Sequence, residues 1–188
     1  MISHSAFLVG NNVYLRQLVP DDIEGPYLTW FNDDQVCRGN IHHVFPYTRD
    51  EALAYIAHSV KKDNNALVLA IINKKDDKHL GNIALQSISF VVRSAELSII
   101  LGDKSFWGKG IGFESCRLIC DHGFNSMNLS RIACGTFESN EGMKTIAQKL
   151  GMQVEGCRRN AAFKNGTFEN LIEYGILKEE YEKIGSGK

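Results

Sequence analysis

Ala95-Glu96-Leu97-Ser98-Ile99-Ile100-Leu101-Gly102-Asp103-Lys104-Ser105-Phe106-Trp107-Gly108-Lys109-Gly110-Ile111-Gly112-Phe113-Glu114 is the stretch on which the fold turns. It opens with an alternation, Glu96, Ser98 and Ile100 on one side and Leu97, Ile99 and Leu101 on the other, which is the period of a strand. Glycines follow at 108, 110 and 112, and then Phe113, Cys116, Cys120 and Phe124 recur at helical spacing. A strand, a glycine turn and a helix in that order aim backbone N–H groups inward with no Cβ in the way, at a helix end carrying partial positive charge. An anion such as a pyrophosphate suits that place, and Lys109 adds a formal charge. The bland alternative is a tight turn that only packs. A P-loop is excluded, because Lys109 is followed by Gly110 and no glycine stands at the required offset. A dinucleotide fingerprint is excluded too, with Phe113 where the third glycine belongs.

Working outward, Val13 to Leu18 reads as a strand and Pro20 to Phe31 as a helix with Tyr27, Trp30 and Phe31 on one face. Asn32 to Tyr47 reads as a short helix plus loop. Thr48 starts a helix, with Glu51 as capping-box partner and a stripe of Leu53, Ile56, Ala57 and Val60. Strands are expected at Leu67 to Asn73, Leu80 to Phe90, Ala95 to Leu101 and Arg131 to Phe137. A helix from Asn140 to Leu150 stops at Gly151, and two last strands lie near Gln153 to Arg159 and Asn170 to Leu177. The order is that of a mixed α/β sheet in one domain, residues 1–184, with 185–188 as a loose tail.

The 188 residues carry 44% hydrophobic side chains and a formal charge of −1. That is one ordinary core and no cationic surface for nucleic acid. The longest apolar run, Ala66 to Ile72, is too short for a membrane span, and the first residues lack a signal-peptide pattern. The chain reads as cytoplasmic. Five cysteines leave one unpaired in any connectivity, and neither they nor the adjacent His42 and His43 have metal-ligand spacing. No metal is expected.

Within this frame, Ala95 to Gly112 resembles motif A of the GCN5-related N-acetyltransferases (GNAT), the acetyl-CoA loop Q/R-x-x-G-x-G/A, departing from it at the first position, Trp107. The resemblance continues through Tyr14-Leu15-Arg16, Trp30-Phe31-Asn32-Asp33, Gly81-Asn82-Ile83, Asn140, Lys149-Leu150-Gly151-Met152 and Glu155-Gly156. It implies a mixed, mostly antiparallel sheet, flanked by helices, whose central strands splay apart around the pantetheine of acetyl-CoA. It assigns the pantetheine edge to Ile99, Ile100 and Leu101, the phosphate cradle to Lys109, Gly110, Ile111, Gly112 and Phe113, and further cofactor contacts to Trp107 and Gly108. Asn140 and Lys149 fall along the course of the cofactor, although Asn140 reads equally well as a helix N-cap.

By the same resemblance the reaction is transfer of acetyl to a primary amine by direct attack, with Glu96 as the base that removes a proton. Exposure as a plain strand carboxylate is the other reading of Glu96. The family's usual acids, a Ser or Tyr on the helix after Asn140, are replaced by Met143 and Ala147. That loss makes a catalytically silent acyl-CoA-binding module the alternative. The acceptor is a small-molecule or peptide amine, with a nucleotide-linked aminosugar placed ahead of a protein N-terminus, and Trp30, His42, His43, Phe45 and Tyr47 as its candidate contacts. A homodimer stays open.

Overall fold

A computed structural model of the protein describes residues 5–59 and 65–185. Val60 of the expected stripe, the first four residues and the tail from 186 lie outside them. In chain order the elements are β1 (Leu8–Val9), β2 (Val13–Gln17), α1 (Tyr27–Phe31), α2 (Asp34–Cys37), α3 (Arg49–Ser59), β3 (Leu67–Asn73), β4 (His79–Ser89), β5 (Ser94–Leu101), α4 (Ile111–Asn125), β6 (Arg131–Phe137), α5 (Glu141–Lys149), β7 (Gln153–Lys164), β8 (Thr167–Leu177) and α6 (Lys178–Gly185). Eight strands form one sheet in the order β1-β2-β3-β4-β5-β6-β8-β7. All neighbours are antiparallel except β5 and β6.

Strand alternation sends side chains to two apolar layers. Leu15, Ile71, Ile83 and Leu97 meet Cys116, Ile119, Cys120 and Phe124 of α4 on one face. Tyr14, Ala70, Ile72 and Ala84 meet Tyr27, Trp30, Phe31, Ala52 and Ile56 on the other. The second face also buries an Arg16–Asp22 ion pair, 2.6 Å. Burial alone would raise the Asp22 carboxyl, but the Arg16 guanidinium, His79 and the Val19 amide together hold it below its usual range. Glu114 is lowered in the same way by bonds from Asn12 and Val13 that outweigh its partial burial. A folded value below the unfolded one means stability that is complete above the unfolded value, near 4, and is lost as pH falls through the lower folded one. Burial also holds His79 below the ordinary histidine value, so urea midpoints should be level above about pH 7, start to fall as unfolded-state histidine protonates near 6.5, and decline further below about 4.

The expected helix from Pro20 to Phe31 is two pieces. A 3-10 turn covers Pro20–Glu24 and α1 starts after Gly25-Pro26, since Pro26 has no N–H to give and keeps Gly25 extended. The capping box of α3 is present, with Thr48 N–H donating to Glu51 Oε2 at 2.8 Å and Glu51 N–H to Thr48 Oγ1 at 3.3 Å. The last two strands run much further than their expected limits, joined by Asn165 (φ 52°) and Gly166 (φ 81°) in a two-residue turn. β1 and α6 had no expected counterpart.

Four of the five cysteines, Cys37, Cys116, Cys120 and Cys134, are buried and Cys157 is exposed. Burial pushes the buried thiols up, Cys134 to about 12. Because the thiolate is the reactive form, a native sample should titrate one thiol with an aromatic disulfide reagent and a denatured one five. Two or more fast native thiols would contradict this packing. Among the described residues no group of three His, Cys, Asp or Glu could hold a metal, and no helix is long and apolar enough to cross a membrane.

Candidate active site

The site begins where the sheet comes apart. β5 and β6 pair only through Ser94, Ala95 and Glu96 with Arg131, Ile132 and Ala133. Beyond that, β5 stays bonded to β4 as far as Leu101 and β6 to β8 as far as Phe137, so a wedge opens between two intact half-sheets. Gly102 N–H donates across to Leu80 O at 2.9 Å. By the alternation of an extended strand, Ile100 also turns its backbone groups toward β4, while Ile99 and Leu101 turn theirs into the wedge. Of the expected pantetheine edge, Ile99 and Leu101 therefore face the gap, and Ile100 does not. Its side chain packs in the layer with Trp30.

The glycine turn lies at the open end of the wedge. Gly108 (φ 71°) and Gly110 (φ 81°) are left-handed, and a Cβ at either would project into empty space. Gly110 caps α4, whose first backbone bond runs from Glu114 N–H to Gly110 O at 2.9 Å. The N–H groups of Ile111, Gly112 and Phe113 thus have no partner within the helix. Lys109 and Lys149 bring ammonium groups to the same end, Lys149 Nζ lying 6.0 Å from the Phe113 ring. At Gly112 helix α4 comes close to α5: a Cβ there would stand 3.1 Å from the Ile146 Cδ1, a tight contact. Free amides, two cations and a bare cradle fit a pyrophosphate. Trp107, in the same turn, donates its indole N–H to Leu101 O at 2.7 Å.

Glu114, in the first turn of α4, was not singled out by its sequence context. Its carboxylate turns away from the cradle and accepts from Asn12 N–H at 2.7 Å, Asn12 Nδ2 at 2.8 Å and Val13 N–H at 3.3 Å. That spends its negative charge on β2 and anchors the helix end.

Glu96 stands at the root of the wedge, the last β5 residue paired on both sides, facing Gln86 and Ala133. It is exposed on the face opposite α4. Among the expected acceptor contacts, Trp30 is a correction: it is 3% exposed, its ring packs edge-on against His79, and a Cβ on Gly102 would fall 2.0 Å from it. It holds the β5 end in place rather than lining an open surface. His42 stacks edge-on against Phe31 (5.0 Å) and Tyr47 lies against Phe31 at 4.6 Å. Burial and the Lys164 charge keep His42 below its usual titration range. His42, His43 and Phe45 are exposed and Tyr47 is half-buried. Lys164, the last residue of β7, is buried and donates to His42 O, tying this loop to the far half-sheet.

Asn140 caps α5: its Oδ1 accepts from Met143 N–H at 3.1 Å, and its Nδ2 donates to Gly39 O at 3.2 Å. Both ends of the amide are engaged, which favours the cap. Asn140→Ala should cost about 1 kcal/mol of stability, read as a lower urea midpoint, while donor affinity stays within about twofold. A large loss of affinity in a normally stable variant would return Asn140 to the donor site. Met143 and Ala147 are buried on the apolar face of α5, so neither position presents an acid.

Residues 12–153 match the family model for the acetyltransferase (GNAT) domain. The chain is 33% identical over 106 residues to the spermidine N(1)-acetyltransferase of Escherichia coli (strain K12), an alignment that takes in 56% of each protein. Its fold is similar to the crystal structure of spermidine N-acetyltransferase from Vibrio cholerae in complex with CoA and spermine, with a TM-score of 0.82 and 21% identity over 91% of this chain and 98% of that one. The ribosomal alpha-N-protein acetyltransferase RimL, solved in complex with coenzyme A, superposes with a TM-score of 0.82 at 16% identity, over 92% of this chain and 98% of that one.

Proposed function

The chain belongs to the acetyltransferase (GNAT) domain family and is an acetyl-CoA-dependent N-acetyltransferase, and from that premise we propose that it acetylates a primary amine entering at the root of the wedge, on the face that carries Glu96. The observation behind this is the parting of β5 from β6 directly after Glu96, with a bare amide cradle at the wedge's other end. Acetyl-CoA supplies the activated acetyl carbon and a thiol that can leave. This chain's residues do the rest. The wedge edge at Ile99 and Leu101 orients the donor by strand-like pairing, and the amides of Ile111, Gly112 and Phe113 hold its phosphates. Glu96, open to solvent, takes the amine's proton directly or through one water. With Met143 and Ala147 in place of an acid, the leaving sulfur departs as thiolate, which an ordinary thiol value near 8.5 permits.

For the acceptor we place a polyamine ahead of a protein N-terminus, and both ahead of a nucleotide-linked aminosugar. Two things support that order. The relative with 33% identity is named for spermidine, and one of the rings that could stack a base, Tyr47, is packed against Phe31. Thiol release from acetyl-CoA is the assay, with spermidine, a peptide bearing a free N-terminus and a UDP-linked aminosugar compared at equal concentration. Spermidine should exceed each of the others by at least about tenfold in kcat/KM. A reversed order overturns the acceptor, and donor binding with no turnover on any amine would favour a silent acyl-CoA-binding module.

A further inference from the structure

We propose that Trp107 is a positioning residue whose indole ties the phosphate-holding turn to the open edge of β5, fixing the distance between the two halves of the donor site. The inference rests on the acetyl-CoA reading above and adds to it a role for one side chain.

Leu101 ends β5, and its carbonyl points into the wedge, where no strand reaches it. Trp107 Nε1 fills that need at 2.7 Å. The ring is 43% exposed, so core burial does not account for its placement. Between the two residues the chain is tightly wound: Asp103 Oδ1 accepts from Ser105 N–H at 3.0 Å, and Trp107 N–H donates to Lys104 O at 3.1 Å. Past Trp107 the backbone passes through two left-handed glycines with nothing near their Cβ positions. On the helix side the turn is anchored by Glu114 to Asn12. On the strand side Trp107 supplies the anchor.

A ligand that engages both the strand edge and the turn gains from their being held at one separation, because the second contact is then made at high effective concentration. The bond also leaves a mark on the edge itself. With Leu101 O occupied, a strand-like partner in the wedge is left with the Ile99 groups and Leu101 N–H.

Trp107→Phe keeps an aromatic ring, smaller than indole, and deletes the N–H donor. Calorimetry should show CoA affinity falling by about tenfold, whereas 3′-phospho-ADP, which reaches the turn but not the strand, should lose less than about threefold. Equal losses for the two probes would make Trp107 a direct part of the phosphate site, and no loss for either would leave it without this role. An independent check needs no variant binding data: the Trp107 indole proton of the ligand-free protein, assigned by its disappearance in Trp107→Phe, should exchange with solvent slowly, and fast exchange would overturn the bond. Wild-type protein that binds no CoA would remove the donor reading itself, whereas wild-type binding with an unaffected Trp107→Phe removes the clamp alone.

Discussion

Glu96→Gln should lower kcat by roughly 10²-fold while acetyl-CoA affinity stays within about twofold. Glutamine keeps the size and most of the hydrogen bonding of the carboxylate but cannot take a proton, so the variant isolates that one capacity. The location argues for a pure effect on turnover. Glu96 is paired on both strands through its backbone, and its exposed side chain makes no contact on which the fold depends. It stands at the closed end of the wedge, far along β5 from the glycine turn. If deprotonating the amine limits the rate, raising the pH should also recover part of the lost activity, because more of the acceptor is then already neutral. Stopped-flow or continuous thiol-release measurements from pH 6 to 9 would show it. A variant that matches the wild type across that range leaves Glu96 a solvent-facing strand residue and moves the base elsewhere.

Gly110→Val should weaken acetyl-CoA binding by more than about tenfold. Two costs combine. Gly110 has φ 81°, a left-handed conformation that penalises an ordinary residue by about 1–2 kcal/mol and a β-branched one most. A Cβ here meets no protein atom within 4 Å, so it fills the cradle that a phosphate would use. The absence of a clash also means that the chain can still fold, which keeps the measurement interpretable. Gly110→Ala should fall between wild type and Gly110→Val. Calorimetry on folded variants reads both, and undiminished affinity in Gly110→Val would take the turn out of the donor site.

The strand, glycine turn and helix around residues 95–114 were legible because each used a different local signal: alternation, conformational freedom and a helical stripe. The Thr48–Glu51 box was legible for the same reason. Where the reading fell short, the deciding contact lay far away in sequence. Tyr27, Trp30 and Phe31 show the spacing of one helical face, but nothing local says that Trp30 will be sealed under Gly102. Tyr47 packs against Phe31 across a loop, and His42 meets the same ring edge-on while staying exposed, neither of which a spacing rule reports. Glu114 and Lys164 act on partners 102 and 122 residues distant, and no spacing rule reports that. Two misses had visible signals: Gly25-Pro26 marks the break before α1, and Asn165-Gly166 is the sequence of a two-residue hairpin.

The seam between β5 and β6 has a consequence for how this protein survives in its surroundings. Three residue pairs join the half-sheets there, and other ties include the bonds of Arg93 to Asn128, Ser130 and Arg131 at the root and the loop contacts Lys164–His42 and Asn140–Gly39. A donor held by the β5 edge and the α4 amides binds the folded chain and not the unfolded one, so its binding energy is added to the stability of the fold. At a hundred times its dissociation constant such a ligand contributes about 2.7 kcal/mol, a sizeable part of what a domain has in total. The protein's lifetime would then follow the local supply of its donor: when acetyl-CoA and CoA run low, the half-sheets part more often, and unfolding and proteolysis gain access through the empty wedge.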